Sequence, residues 1–107
     1  MMYHLLIWRW SDEYADKNRQ RRERLTHTKV ASEFVRSCQH AAIGPFDQES
    51  FLKEINALFP GDESDRPFVV ERYPQGIIFK YGVQTRFDIV PVIGGVAKKH
   101  GLNSTEG

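Results

Sequence analysis

Pro67-Phe68-Val69-Val70-Glu71-Arg72-Tyr73, then Pro74-Gln75, then Gly76-Ile77-Ile78-Phe79-Lys80-Tyr81 is the stretch from which the fold can be read. Both flanking runs are dense in β-branched and aromatic residues, which suit a pleated, half-buried surface. Pro-Gln-Gly between them is a tight-turn signal, so the pair reads as an antiparallel hairpin.

Helices flank this hairpin in the sequence. Downstream, Ile89, Ile93, Val96 and Ala97 form the buried stripe of a helix beginning between Thr85 and Asp88. Pro91 favours the later start, because proline is tolerated only in the first turn. Lys98, Lys99 and His100 suit the negative helix terminus, and Gly101 is the expected terminating glycine. Leu102-Asn103-Ser104 can add a short edge strand, and residues 103–107 otherwise read as a flexible tail. Upstream, Asp47 is a natural N-cap, and Phe46 before it can staple onto Phe51. Phe51, Leu52, Ile55, Leu58 and Phe59 share one apolar face. Pro60-Gly61 ends that helix, and Asp62-Glu63-Ser64-Asp65 is an acidic connector.

Further upstream, Ala31, Phe34, Val35, Cys38 and Ala42 recur at helical spacing behind Thr26 or Thr28 as N-cap, until Gly44-Pro45 stops the helix. Residues 11–25 carry no apolar stripe and read as a basic loop or a frayed helix extension. Tyr3-His-Leu-Leu-Ile-Trp-Arg-Trp10 is almost continuously apolar and reads as a central strand. Tyr3, Leu5, Ile7 and Arg9 point one way, and His4, Leu6, Trp8 and Trp10 the other. The expected order is β-α-α-β-β-α(-β). It is an α+β fold with an antiparallel-rich sheet of three to four strands and helices packed on one face, a ferredoxin-like variant.

The 107 residues suit a single domain, 1–107. The apolar opening is too short for a membrane span and no cleavage site follows it. With one cysteine and no export signal, a cytoplasmic location without membrane association is expected. One cysteine also excludes an internal disulfide and any multi-cysteine zinc site.

Charge is segregated although the formal net charge is only +1. From Lys17 to His40, seven Lys/Arg face two acids, giving 7 − 2 = +5. From Asp47 to Asp65, one lysine faces six acids, giving 1 − 6 = −5. Such polarity bears on partners and association rather than on fold. Both stretches can equally be solvated surface, or pair with each other or between copies. Trp8 and Trp10 share a strand face beside this arginine-rich segment. That composition fits a protein interface, stacking of single-stranded nucleic acid, or plain core under a helix.

No catalytic constellation stands out. Cys38 and His40, two apart on a helix, point to different sides, and Cys38 reads as a small core residue. His4, His27, His40 and His100 show no metal-ligand spacing, so neither metal nor cofactor is expected. Gly94-Gly95 with Lys98-Lys99 lacks phosphate-loop spacing and better fits a close contact of the helix with the sheet or with a partner. Asp62, Glu63 and Asp65 lack the glycine and distal glutamate of a calcium loop. An enzyme would have to bring His40, Cys38 and Asp88 together, which nothing in the sequence does.

The opening strand ending in Trp-Arg-Trp-Ser and the closing Val-Ala-Lys-Lys-His-Gly-Leu (96–102) resemble those of small uncharacterised bacterial α+β proteins. Some of these look like immunity proteins that neutralise a toxin by binding it. The resemblance implies a sheet-and-helix domain and a binding role, and it transfers no functional residue.

The expectation is a non-enzymatic domain that binds a protein partner or a second copy of itself. Arg19, Arg21, Arg22 and Arg24 are the candidates for charge steering, and Trp8 and Trp10 for anchoring. The alternative is RNA or single-stranded DNA, held by the same arginines and an aromatic sheet face.

Overall fold

The computed structural model describes residues 2–106; Met1 of the apolar opening and Gly107 of the expected tail lie outside them. Strand β1 (Met2–Trp10) is the centre of one antiparallel sheet. On one side it pairs with β4 (Ile77–Gly82), in register from Met2 opposite Gly82 to Ile7 opposite Ile77. β3 (Val69–Arg72) lies outside β4 and is joined to it through the expected turn at Tyr73–Gly76. The other side of β1 is shared by two short strands. β5 (Asn103–Glu106) runs opposite Leu5–Trp8, and β2 (Ile43–Gly44) opposite Arg9 and Trp10.

Alternation along β1 divides the core. Leu5 and Ile7 lie with Ile77, Phe79 and Tyr81 on one face, under α3 (Gln48–Leu58) and α4 (Arg86–Lys99). Leu6, Trp8 and Ile78 lie on the other, under Val30, Ala31 and Phe34 of α2 (His27–Ser37). A strand apolar on both faces requires cover on both. The α+β class and the antiparallel sheet therefore hold, with two corrections. The sheet has five strands rather than three or four, and helices occupy both faces rather than one, unlike the ferredoxin-like variant expected.

The best-signposted helix forms as read. The Asp47 carboxylate accepts the Ser50 N–H at 3.1 Å, and the Phe46 and Phe51 rings meet edge-to-face at 6.4 Å. Two other boundaries move, and the start of α4 falls at the early end of its expected range rather than the later one. α2 does not run on to Gly44: it stops at Ser37, where Cys38 turns left-handed (φ 61°) and leads through a turn into β2. α4 begins at Arg86 behind Thr85, so Pro91 sits within the helix and leaves the Phe87 carbonyl without its helical donor. Residues 103–106 form a strand rather than a flexible tail.

Two polar ties hold that strand. The buried Trp8 indole Nε1–H donates to Thr105 Oγ1 at 3.0 Å. At the strand's other end Glu106 accepts from both Arg86 and the Tyr81 hydroxyl, while the Arg86 guanidinium lies 4.6 Å from the Tyr3 ring centre. Burial pushes the Glu106 carboxyl up, but the hydrogen bonds from Arg86 and Tyr81 hold it below the ordinary range. Gly94 explains half of the glycine pair, because a Cβ there would sit 3.3 Å from Ser104 Oγ of β5.

Candidate interaction surface

The segment between β1 and α2 is built from polar contacts. After a 3-10 turn at Asp12–Tyr14, Asp16 caps α1 (Lys17–Arg22) by accepting the Asn18 N–H at 2.9 Å. Gln20 Nε2 donates to the Tyr14 carbonyl at 2.6 Å, and the Leu25 N–H returns to the Gln20 carbonyl at 2.8 Å. Neither the turn nor α1 contains a buried residue. The expected loop or frayed helix is thus a short capped helix, attached to the core through half-buried Leu25 and Trp10.

The four arginines separate into two roles. Arg19 Nε donates to Glu23 Oε2 at 2.9 Å, and its guanidinium lies 4.2 Å from the Tyr14 ring centre. Tyr14 in turn donates to Glu23 at 3.1 Å. The Arg19 hydrogen bond leads in holding the Glu23 carboxyl below its ordinary value. Arg19 therefore braces the segment. Arg21, Arg22 and Arg24 are exposed and form no ion pair among the described residues. Arg24 holds a left-handed backbone (φ 56°), an uncommon conformation for a residue with a Cβ. No ion pair among the described residues joins the basic run to the acidic one. Instead Glu49 pairs with Arg72, and Glu54 with Lys99 and His100.

The tryptophans are not exposed anchors. Trp8 is 0% exposed and belongs to the core, because α2 covers its face of the sheet. Trp10 is half-buried, edge-on to Trp8 at 4.7 Å and to His27 at 5.8 Å. α2 therefore covers the Trp8 part of that face, while Trp10 stays partly open.

The possible catalytic groups are redistributed. Cys38 is exposed rather than core, because a left-handed residue closing a helix turns away from the stripe it would continue. With Ser37, Gln39, His40, Ala41, Pro74 and Gln75 it lines an open groove of about 620 Å³. His40 is fully engaged there. Its Nδ1 accepts the Ala42 N–H at 3.0 Å, which places the ring proton on Nε2, 2.5 Å from Glu33 Oε2. In this arrangement neither nitrogen is free to act as a base for Cys38. Gln75 fastens the groove floor, accepting the His40 N–H and donating to the His40 and Ile43 carbonyls, all at 2.9 Å.

Beside the groove, Tyr73 donates to Glu71 at 2.9 Å, and Lys80 lies 2.8 Å from the other Glu71 oxygen. The Glu71 hydrogen bond, then burial and Cys38, push the Tyr73 hydroxyl up to about 12. Asp88 lies apart, exposed on the first turn of α4. Among the described residues no three His, Cys, Asp or Glu side chains converge as a metal set, and no helix is long and apolar enough to cross a membrane.

Sequence reasoning missed the His40–Gln75 tie, since the two residues lie 35 apart and carry no motif. It also missed the exposure of Phe87 on α4, at 80% the highest among the large apolar side chains of the described residues. Its place at the start of an otherwise apolar helix gave no cue. Compared with protein-family models, curated proteins and solved structures, the chain matches none.

Proposed function

We propose that this is a non-enzymatic domain that binds an acidic surface on a protein partner through the ridge formed by Arg21, Arg22 and Arg24. One observation carries the reading: a braced, capped segment whose turn and helix bury no residue holds in solvent three arginines that form no ion pair among the described residues. Ordering such a segment costs conformational entropy that its half-buried side chains, Leu25 foremost, repay only in part. Arginine is also enriched where interfaces concentrate binding energy, and a local positive field speeds encounter with an acidic partner. Neutralising a toxin, as the resemblance to immunity proteins suggests, is one instance of this role.

Protein is preferred over nucleic acid because Trp8 is core, Trp10 is half-buried and the Tyr14 ring is covered by Arg19, which leaves bases little open aromatic surface to stack on. A cytoplasmic location is retained as part of the proposal.

The test is charge reversal. Arg21→Glu/Arg22→Glu/Arg24→Glu should fold with an unchanged circular dichroism spectrum and lose the proteins that the wild type retains from native lysate. Equal retention by the two would remove the arginine ridge from the account.

A further inference from the structure

α4 packs through one arc only. Ile89, Ile93, Val96 and Ala97 face the sheet, while Phe87, Asp88, Pro91, Val92, Gly95, Lys98 and Lys99 are exposed. At 100° per residue, Phe87, Lys98, Pro91 and Gly95 form the middle of that outer arc, with Asp88, Lys99 and Val92 beside them. From Phe87 to Ala97 the only charged residue is Asp88, so the outer arc is largely apolar until Lys98 closes it in the last turn, where a surface helix normally carries charge throughout.

Three of these residues are only weakly explained within the chain. Phe87 is 80% exposed, with the Arg86 guanidinium 5.7 Å from its ring centre. Pro91 removes a helical hydrogen bond on the outer side. Gly95 is the decisive one: a Cβ there would meet nothing within 4 Å, whereas the same addition at Gly94 would press on Ser104. Alanine would serve the isolated helix better than Gly95, so the missing side chain points to something that approaches from outside.

We infer that α4 packs antiparallel against α4 of a second copy, across a two-fold axis at Pro91. The spacing is self-complementary. Phe87 lies four residues before Pro91 and Gly95 four residues after, so each copy's Phe87 seats in the dimple left by Gly95 of the other. Charge matches as well. The same register sets Asp88 opposite Gly94 of the other helix, one turn from Lys98. That lysine forms no ion pair among the described residues and is long enough to reach it, whereas Lys99 is already paired with Glu54. A second copy is thus the occupant that satisfies the knob, the hole and the ion pair together. One helix per copy makes a small interface, so the association is weak and concentration-dependent. The arginine ridge is not involved, and the two proposals stand or fall separately.

Sedimentation equilibrium across micromolar to millimolar protein tests this. Wild-type mass should rise from the 12.4 kDa of one chain toward twice that value. Phe87→Asp should weaken self-association at least tenfold with an unchanged circular dichroism spectrum. Asp88→Lys should weaken it too, and Asp88→Lys/Lys98→Asp should restore it, which a merely solubilising change would not. In a Cys38→Ser background, Pro91→Cys should oxidise to a disulfide-linked dimer. A wild type that stays at single-chain mass throughout overturns the proposal, as does a dimer indifferent to Phe87→Asp.

Discussion

Replacing Thr105 by valine tests how the C-terminal strand is held. The shape is nearly conserved, so the substitution removes the hydroxyl that accepts the Trp8 indole N–H at 3.0 Å and little else. Trp8 is 0% exposed and Thr105 9%, so water cannot readily take the vacated place. A buried donor left without a partner costs about 1–3 kcal/mol. Valine's extra apolar methyl offsets part of this, so the expected loss is about 1.5 kcal/mol. For a chain of this size that lowers the melting temperature by about 6–10 °C.

Urea unfolding followed by far-ultraviolet circular dichroism measures the loss directly. The midpoint should fall with the slope unchanged, because the surface exposed on unfolding is the same. Trp8→Phe removes the donor and leaves a cavity. In a double-mutant cycle its effect should be less than additive with Thr105→Val, since the orphaned N–H is gone in the double variant. A Thr105→Val midpoint indistinguishable from wild type, with additive effects in the cycle, would show that the Trp8–Thr105 hydrogen bond holds nothing. It would mean that residues 103–106 do not dock on β1.

Cys38→Gly should stabilise the protein by roughly 1 kcal/mol, because glycine adopts the left-handed C-cap conformation (φ 61°) without Cβ strain; urea titration reads it. Gly44→Ala should destabilise by about 1–3 kcal/mol, since its Cβ would lie 2.9 Å from the Ser11 Cα, a backbone atom that cannot step aside. In acid, Glu54, Glu71 and Glu106 carry values below the ordinary range, set for the first two by His100 and Lys80 hydrogen bonds. Their contribution is therefore complete above the unfolded glutamate value of about 4.3 and is lost as pH falls below it. Urea midpoints should drop between about pH 5 and 3, and Glu106→Gln should flatten that slope. In alkali, the raised Tyr73 hydroxyl stabilises the fold below the unfolded tyrosine value of about 10, and that stability disappears as pH approaches 12. Tyr73→Phe should reduce the alkaline loss.

What was legible in the chain was what short-range chemistry decides. The Asp47 cap, the Phe46–Phe51 staple and the hairpin around Pro74-Gln75-Gly76 each depend on residues a few positions apart, and each formed where it was read. The errors share one cause, a choice made by distant residues. Asn-Ser-Thr-Glu (103–106) has no apolar alternation and becomes a strand because the open edge of β1 and the Trp8 indole are there to receive it. Cys38 and Ala42 extend the helical spacing of α2, but Gln75 from the β3–β4 turn captures the chain at His40 and turns it into β2. Trp8 is core for the same kind of reason, since nothing local specifies that α2 returns over its face. The arginines were legible as a group. That Arg19 braces the segment while Arg21, Arg22 and Arg24 stay unpaired depends on Tyr14 and Glu23 meeting across α1.

The most direct test of the binding role is an affinity pull-down of tagged wild-type protein from native lysate, divided into nuclease-treated and untreated halves. A protein partner should be retained in both halves, and lost from both when Arg21, Arg22 and Arg24 are reversed to glutamate. Retention that vanishes on nuclease treatment would contradict it and assign the arginine ridge to nucleic acid.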